Sequence, residues 1–527
     1  MRYSYWAVIL SSFVFFACKK KPTTWSTEWK APVTYDTLTL DKWVNDSTLA
    51  ISNNLLLVDL TRTLLDIRLE DVIKIPDTTV QQSFNLTISL NNVPPGYSFV
   101  NDIQENHILL EPVQLKKVQV SQGFIKVKVY NPIGTKAFFT VRLPGVKKDG
   151  EEFVQTYFVD AGTNQNPGVA EAVLDVSGYT IDLTGNIGNS FNRLRSELTV
   201  KTDPDGPAVS VNTTNVFKVD ASFKDIRINY AKGYFGDKIL SDNSNFEVPY
   251  FSKIINGSLT LPETNLQFIV ENGMKMAMKG TLLSASNTNY ASNTVQLSGG
   301  ALGNSFYLSP ATGQWNTLQS SSQTISFNSS NSNISEYLQN LGINHQVAYN
   351  FQLNPWGNTS SGNDEIFPNS RIRLKVKAQL PMALSSDGLT LRDTFDLQLQ
   401  QNTEKTHVTA GKLILKCVNA FPISAGVTLY LLDEMGAVVG SVVATSEISS
   451  SLLGSLDASS GLYKKASTLN FELPENIVSK VNDIKKVVVE ARFDTPDSNG
   501  ANQIQTIPAN AFLAVKVQAL LTTKVVL

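Results

Sequence analysis

Strict alternation of apolar and polar residues is the feature that most constrains the fold of this chain. In "RIRLKVKAQL" (371–380) every second residue is apolar, and the residues between are Arg, Lys or Gln. Successive side chains of a β-strand point to opposite faces, so this pattern predicts a strand with one buried and one solvated face. The stretches "FIKVKVY" (124–130) and "VVVEARF" (487–493) follow the same pattern. Such strands are typical of antiparallel sheets, and they predict an all-β fold of several β-sandwich-like modules in an elongated array with a few short helices.

A strand, an Asn-centred turn and a second strand recur three times along the chain. The three copies centre on Asn131, Asn272 and Asn419, and a fourth segment has Gln379 in place of the Asn. Asn suits such a turn because its side chain can bond to the neighbouring backbone, and the prolines nearby preset φ. The irregular spacing of the copies predicts related units rather than a solenoid of fixed period.

Helical signals are few. The stretch "NSNISEYLQNLG" has Asn333 as an N-cap, Glu336 three residues on and Gly342 as a stop, which predicts a helix of two turns. Pro474 is suited to the first position of a second short helix over residues 474–484. A third short helix is expected within residues 446–456.

A chain of 527 residues exceeds what one hydrophobic core usually serves, so several modules are expected. Polar, turn-rich stretches at 160–168, 284–300 and 399–408 supply the candidate boundaries. The predicted division is a signal peptide (1–17), a lipid-anchored tether (18–35), two β modules (36–165 and 166–290), a β module with a short helix (291–400) and a C-terminal β module with short helices (401–527).

The N-terminal stretch "WAVILSSFVFFACKKKP" (6–22) predicts a signal peptide. Arg2 precedes an apolar run that is too short to cross a hydrocarbon core of about 30 Å as a helix. The Phe-Phe-Ala-Cys arrangement that ends at Cys18 resembles the lipobox of bacterial lipoproteins. This resemblance implies cleavage before Cys18, a diacylglycerol on its sulfur and an acyl chain on its new amino group, and two or three acyl chains hold a protein stably on a membrane. The alternative is an ordinary cleaved signal with an incidental cysteine.

Two further resemblances concern the body of the chain. The stretch "VYNPIGTKAFFTVRLPGVKKDG" (129–150) resembles the Asn-Pro-centred β modules of late-embryogenesis-abundant type proteins, which implies seven-stranded sandwiches. The body as a whole resembles a group of Bacteroidetes outer-membrane lipoproteins of comparable length. The shared elements are "DIRINYAKGYFGD" (225–237), the turn after "VEN", the "NSNISEYL" helix and the C-terminal alternating strand. That second resemblance implies an envelope location and no particular activity.

The ionisable residues give little sign of catalysis or of nucleic-acid binding. A formal net charge of −2 provides no long-range attraction to nucleic acid. His107, His345 and His407 lie far apart without metal-ligand spacing, and we expect them to be surface groups or hydrogen-bonded core groups. Cys417 lies in the alternating stretch "KLILKCV" and is expected to be a core thiol. No metal, cofactor or catalytic residue is predicted, because neither a G-x-S-x-G elbow nor a phosphate-binding loop is present.

Two tryptophans in turn-rich segments are the candidate ligand-binding residues. Trp315 lies in "TGQWN" and Trp356 in "NPWGN". An exposed ring at either position can stack on a sugar face, whereas a buried one would close the end of a sandwich.

The sequence predicts a non-enzymatic lipoprotein anchored to the outer membrane that acts as a scaffold for other outer-membrane proteins. Lys19 follows the cysteine where surface-exported lipoproteins tend to carry acidic residues, which favours the periplasmic face. One alternative is a glycan-binding lipoprotein of a polysaccharide uptake system, which requires at least two exposed coplanar aromatic rings on one module. Another is a lipid-handling β protein, which requires a continuous apolar cavity. A hydrolase whose catalytic residues are distant in sequence remains a further alternative.

Replacement of Cys18 by Ser tests the anchor. The acyl chains bind the membrane through about 0.8 kcal/mol for each buried methylene group, so we expect the Cys18→Ser protein to leave the membrane fraction. Cell fractionation and intact mass spectrometry of the mature chain measure both effects. The Cys417→Ala protein is the control and should remain membrane-bound. Full retention of Cys18→Ser on the membrane would show that the lipid anchor is wrongly assigned.

Overall fold

A computed structural model describes residues 24–39, 49–52, 55–261, 265–381, 383–396, 406–495 and 503–526. Strands account for 62% of the structure and helices for 5%, which confirms the all-β prediction. The strands are β1 (Thr24–Thr39), β2 (Leu49–Ser52), β3 (Leu55–Ile67), β4 (Thr78–Phe84), β5 (Leu90–Val93), β6 (Ser98–His107), β7 (Gln114–Asn131), β8 (Ala137–Lys148), β9 (Glu151–Val159), β10 (Gly168–Asp175), β11 (Thr180–Asp182), β12 (Arg193–Thr202), β13 (Val209–Val211), β14 (Phe217–Tyr234), β15 (Ile239–Glu247), β16 (Ile254–Thr260), β17 (Asn265–Asn272), β18 (Met278–Thr288), β19 (Thr294–Gln296), β20 (Ser305–Leu308), β21 (Ser321–Asn328), β22 (Asn344–Leu353), β23 (Asp364–Ile366), β24 (Ile372–Pro381), β25 (Ala383–Asp396), β26 (Thr406–Asn419), β27 (Ser424–Leu432), β28 (Val438–Val443), β29 (Ser455–Asp457), β30 (Leu462–Leu473), β31 (Lys486–Asp494), β32 (Gln505–Thr506) and β33 (Phe512–Val526).

Three short α-helices occur among these residues. They are α1 (Leu69–Val72), α2 (Ile334–Gln339) and α3 (Glu475–Val478), and 3-10 turns cover Pro249–Lys253, Trp315–Thr317 and Ser451–Leu453. The predicted helix after Pro474 is confirmed as α3, although it is shorter than expected. The helix expected within 446–456 is reduced to the 3-10 turn there, so that prediction was wrong in type.

The helix predicted from "NSNISEYLQNLG" is confirmed as α2, but its two ends differ from the expectation. Asn333 occupies the N-cap position, yet its Oδ1 accepts a hydrogen bond from Ser298 N at 2.7 Å instead of capping its own helix. Leu341, with a φ of 51°, adopts the left-handed conformation that was expected of Gly342. This hydrogen bond therefore connects the N-terminus of α2 to the segment that follows β19.

The strand pairs are antiparallel and build three two-layered units, which we call sandwich 1, sandwich 2 and sandwich 3. In sandwich 1 a ten-stranded sheet folds over itself, with β4, β14, β7 and β10 in one layer and β6, β12, β8 and β9 in the other. Strand β11 pairs with both β7 and β8 at the fold. The rings of Phe99 and Phe139 lie 5.2 and 6.2 Å from that of Phe217, so the two layers share one core.

Sandwiches 2 and 3 each consist of two separate sheets. Sandwich 2 combines the order β2-β3-β24-β17-β21 with the order β15-β22-β18-β19, to which β20 adds by pairing with β18. Sandwich 3 combines β1-β33-β26-β30-β29 with β16-β25-β31-β27-β28. One continuous cluster of buried apolar residues runs through sandwiches 1 and 2, and a second cluster fills sandwich 3.

The alternation in the sequence corresponds to burial. Ile372, Leu374, Val376 and Ala378 of β24 are all buried, and the residues between them are partly exposed. Strand β7 shows the same alternation of buried and more exposed residues over 124–130. The stretch 487–493 in β31 departs from the pattern, because most of its residues are half-buried on both faces.

Strand pairing joins segments from either side of each predicted module boundary. β7 pairs with β14 across position 165, β18 with β22 across 290, and β25 with β31 across 400. The first described strand, β1, pairs with the last, β33. In chain order, the first described strand, β1, belongs to sandwich 3, β2 and β3 belong to sandwich 2, and the next strands form most of sandwich 1. The following strands complete sandwich 2, except that β16 belongs to sandwich 3, and the last strands belong to sandwich 3.

The three Asn-centred turns have the same hydrogen bonding. Each Asn ends a strand (β7, β17 or β26), is at most 2% exposed, and precedes a turn into the strand of the facing layer. In each, Nδ2 donates to the carbonyl four residues on, and Oδ1 accepts from the backbone N–H two residues on. Nδ2 also donates to a carbonyl of a distant segment, such as Ser309 O at 3.0 Å from Asn272. The fourth segment differs, because β24 of sandwich 2 leads into β25 of sandwich 3.

Removal of one Asn side chain should destabilise its sandwich strongly. In the Asn272→Ala protein the carbonyl of Met276 and the N–H of Met274, both in buried residues, lose the bond from the amide, and Ser309 O keeps only its bond from Ser321 Oγ. We expect a loss of about 3 kcal/mol in the free energy of unfolding. Equilibrium urea denaturation measures this loss.

Two further variants make the test specific to the amide. Asn272→Asp should destabilise at least as much as Ala, because a carboxylate cannot donate to the two carbonyls. Asn476→Ala, at an exposed position of α3, should change the stability by less than about 0.5 kcal/mol. An Asp variant as stable as the original protein would contradict the role assigned to the amide.

Candidate functional site

Among the residues predicted from sequence as site residues, Trp315 and Trp356 lie within the described part of the chain, and Cys18 lies outside it. Both tryptophans are exposed, at 54% and 59%. Ala311 N donates to Met274 O and Asn354 N to Ala277 O, so both tryptophan-bearing connections are held by the turn after Asn272. The two tryptophans thus lie at the same end of sandwich 2.

The two tryptophans have different surroundings. The ring of Trp356 stacks on that of Tyr307 of β20, with centroids 5.1 Å apart and planes at 23°. Tyr307 is itself 55% exposed. Trp315 begins a 3-10 turn, and its carbonyl accepts a hydrogen bond from Asn369 Nδ2 at 2.9 Å. Within the described residues no ring contact joins the two tryptophans, and Tyr307 is the partner that the sequence did not indicate.

Sandwiches 1 and 2 are joined through β23, which pairs with β14. Glu365 of β23 accepts hydrogen bonds from Tyr230 Oη at 2.7 Å and from Lys275 Nζ at 2.6 Å. Burial raises the pKa of Glu365, but the bonds from Lys275 and Tyr230 outweigh it and hold this pKa below its ordinary value. Burial, and then the bond to Glu365, raise the pKa of Tyr230, so that its hydroxyl remains a donor.

The loop that carries Trp356, residues 354–363, lies against sandwich 1. Lys116 Nζ donates to Ser361 O at 2.9 Å and to Asn363 Oδ1 at 3.1 Å, and Asn358 Nδ2 donates to Gln114 Oε1 at 3.2 Å. These contacts fix the loop relative to β7.

The start of this loop is also fixed from within. Asn354 Nδ2 donates at 3.1 Å to Asp364, which is 5% exposed. Burial raises the pKa of Asp364, against hydrogen bonds from Ser360 and Asn354 that lower it.

A cleft of about 580 Å³ opens in sandwich 1 beside this loop. Arg193 of β12 lies directly opposite His107 of β6 in the strand register, which places both side chains on one face. Burial, and then the nearby carboxylates of Asp237 and Asp364, raise the pKa of Tyr234. The lining residues are His107, Glu111, Pro112, Val113, Gln114, Ser190, Phe191, Asn192, Arg193 and Tyr234. The sequence did not indicate this cleft, because its residues come from β6, β7, β12, β14 and the connections before β7 and β12, which are distant in sequence.

One apolar cavity inside sandwich 1 is small. A cavity of about 30 Å³ lies among Ile75, Ile108, Leu110 and Val118 and their neighbours. That is the volume of a single water molecule and is too small for an acyl chain. This cavity is therefore not the continuous apolar cavity that lipid handling requires.

The three histidines have unrelated environments. His107 lines the cleft and His407 is exposed. His345 is buried, its Nε2 bonds to Gly342 O at 3.0 Å, and its Nδ1 bonds to Tyr337 Oη at 3.1 Å. It also stacks on Phe246. Among the described residues no group of three or more His, Cys, Asp or Glu could hold a metal ion.

Cys417 is confirmed as a core thiol. It is 4% exposed, and burial raises its pKa to about 11. Its Sγ lies 3.7 Å from Ser467 O. A protonated, buried thiol of this kind is inert towards most electrophiles.

Comparison with known proteins identifies no family. No family model and no curated protein matches the chain. Among solved structures it is similar to a proposed secreted protein from Parabacteroides distasonis ATCC 8503, with 11% identity over 55% of this chain and 87% of that one and a TM-score of 0.27. It is also similar to the VP2 protein of infectious bursal disease virus (11% identity, 78% and 77% of the two chains, TM-score 0.14) and to a peptide-N(4)-(N-acetyl-β-D-glucosaminyl) asparagine amidase (10%, 57% and 96%, TM-score 0.13). Scores this low assign neither a family nor an activity.

None of the helices in the described ranges is long and apolar enough to span a bilayer.

His345 should make the stability of sandwich 2 depend on pH. Burial lowers its pKa to about 4 from 6.5, so between these values the unfolded chain binds the proton that the folded chain does not. Stability is therefore complete above pH 6.5 and is lost as the pH falls from 6.5 towards 4, by about 2 kcal/mol between pH 7 and pH 5. Urea denaturation of the His345→Gln and His407→Gln proteins at pH 7 and at pH 5 provides the comparison. The His345→Gln protein should lose this pH dependence of stability and the His407→Gln protein should keep it. An equal change in the free energy of unfolding between the two pH values in both proteins would contradict the assignment.

Proposed function

We propose that this protein is a non-enzymatic lipoprotein that is anchored in the outer membrane, on the periplasmic face, and serves as a scaffold for other envelope proteins. The observation that carries this proposal is the nested topology. β1 and β33 lie side by side in sandwich 3, while every described strand of sandwich 1 except β23 comes from one continuous segment in the middle of the chain. An anchor at the N-terminus therefore attaches to sandwich 3.

The proposed anchor lies close to sandwich 3 along the chain. Five residues lie between Cys18 and Thr24, where β1 begins, and a fully extended chain from Cys18 to Thr24 spans at most about 20 Å. Sandwiches 1 and 2 share one continuous core and are joined by the bonds of Glu365. They can therefore act together as the part that contacts other proteins.

Sandwich 1 has an exposed apolar margin that fits a protein partner. Strands β9 and β10 each pair with one neighbour only among the described strands. Val154 and Phe158 on β9 are 53% and 61% exposed, and Val169 and Val173 on β10 are 44% and 65% exposed. Open strand edges with apolar side chains are suited to association with another chain.

The buried polar groups support a structural role over a catalytic one. The amides of Asn131, Asn272 and Asn419 are bonded to backbone atoms. His345 is bonded through both ring nitrogens, and Glu365 is bonded to Lys275 and Tyr230. Each of these groups holds segments of the fold together.

A charge placed on the apolar margin tests the scaffold role. We expect the full-length lipoprotein, purified in detergent from its own envelope, to carry one or more outer-membrane proteins in stoichiometric amounts. Val173→Lys should reduce their recovery at least about ten-fold, because an unpaired charge in an apolar interface costs more than 1.4 kcal/mol. Quantitative mass spectrometry measures the recovery.

The matched control is Val443→Lys. Val443 is 67% exposed on β28, an edge strand of sandwich 3, and so resembles Val173 in type, exposure and strand position. Its replacement should leave the recovery unchanged. An original protein that purifies alone, or a partner lost equally from both variants, would contradict a scaffold that binds through sandwich 1.

A further inference from the structure

The cleft beside the 354–363 loop contains ionisable side chains that the fold does not use. Within the described residues, His107, Glu111 and Arg193 make no side-chain hydrogen bond or ion pair. Asn192, by contrast, is committed to the backbone, because its Oδ1 accepts from Leu115 N and its Nδ2 donates to Val113 O, both at 2.7 Å. Arg193 is half-buried and His107 and Glu111 are exposed, so their polar atoms remain available to a ligand that enters the cleft.

The charges of the cleft favour a neutral ligand. Arg193 and Glu111 carry opposite charges, and the phenol of Tyr234 is held protonated by its raised pKa. An anion such as a phosphate ester would gain from Arg193 but would be repelled by Glu111. A neutral molecule rich in hydroxyl groups satisfies both, because each hydroxyl can donate to the carboxylate and accept from the guanidinium.

Aromatic rings flank the same cleft. Phe191 and Tyr234 lie in its wall. The loop that bears Trp356 is bonded to the lining residue Gln114 through Asn358. Trp356 and Tyr307 stack on one another and do not lie side by side in one plane as expected from the sequence, so they offer one sugar-stacking face, the outer face of the indole, which is 59% exposed. An exposed, rigidly supported indole is suited to the apolar face of a sugar ring, while the polar cleft is suited to its hydroxyl groups.

We propose that this cleft and Trp356 form a binding site for a neutral oligosaccharide. Arg193 and Glu111 bind hydroxyl groups of one sugar unit inside the cleft, and Trp356 stacks on a neighbouring unit at the rim. A volume of about 580 Å³ is within the range of small-molecule sites, and the open rim allows the ligand to extend beyond it. Saccharide binding here is independent of the anchor and of the apolar margin on β9 and β10.

An array of neutral cello-, xylo-, malto- and chito-oligosaccharides, probed with the full mature chain, identifies the ligand. Isothermal titration with the best oligosaccharide then compares variants. We expect at least about ten-fold weaker binding for Trp356→Ala and for Arg193→Ala. Trp315→Ala is the matched control, because this tryptophan has the same exposure and lies at the same end of sandwich 2 but outside the cleft. It should bind within about two-fold of the original protein.

Thermal melting of each variant separates misfolding from a loss of binding, and all these positions are at least partly exposed, so intact melting is expected. No binding by any oligosaccharide on the array would overturn the proposal. Loss of binding in Trp315→Ala with retention in Trp356→Ala would also overturn it. Free α-amino acids are included as competitors, since a zwitterion also complements Arg193 and Glu111, and preferential binding of an amino acid would overturn the saccharide assignment.

Discussion

The fold depends on a buried amide at the corner of each sandwich. Asn131, Asn272 and Asn419 stand where a strand of one layer ends and the chain crosses to the other. An apolar residue there would remove the donor to at least two carbonyls and the acceptor for one N–H at a largely buried corner, and a carboxylate would repel the carbonyls. One side chain with both a donor and an acceptor meets these demands. This explains why the same residue occurs at three positions in otherwise dissimilar segments.

The second organising constraint is the junction between sandwiches 1 and 2. Strand β23 belongs to the loop region of sandwich 2 yet pairs with β14 of sandwich 1, and Glu365 binds one donor from each side. Lys116 and Asn358 hold the preceding loop in place. Trp356 therefore has a fixed position relative to the cleft, even though the two belong to different sandwiches.

Local patterns predicted the parts of the structure that are determined locally. The alternation in β7 and β24, the Asn corners and the helix after Asn333 all depend on residues within a few positions of one another. The order of strands depends on pairings between remote segments, such as β1 with β33, and no local pattern encodes them. For the same reason Trp356 could be singled out in the sequence, whereas its partner Tyr307 and the cleft residues Arg193 and His107 could not.

The pairing of β1 with β33 has a consequence for biosynthesis. Every described strand of sandwich 1 except β23 lies in one uninterrupted stretch, so most of this sandwich can assemble before the later strands are available. Strand β1 must wait for the fifteen residues of β33, because β33 is its only neighbour among the described strands. A chain that stops early leaves an open edge on β1 and another on β26, at the sandwich nearest the proposed anchor. Closure of sandwich 3 thus depends on β33, and copies that lack this strand carry an exposed edge that proteases and chaperones can recognise.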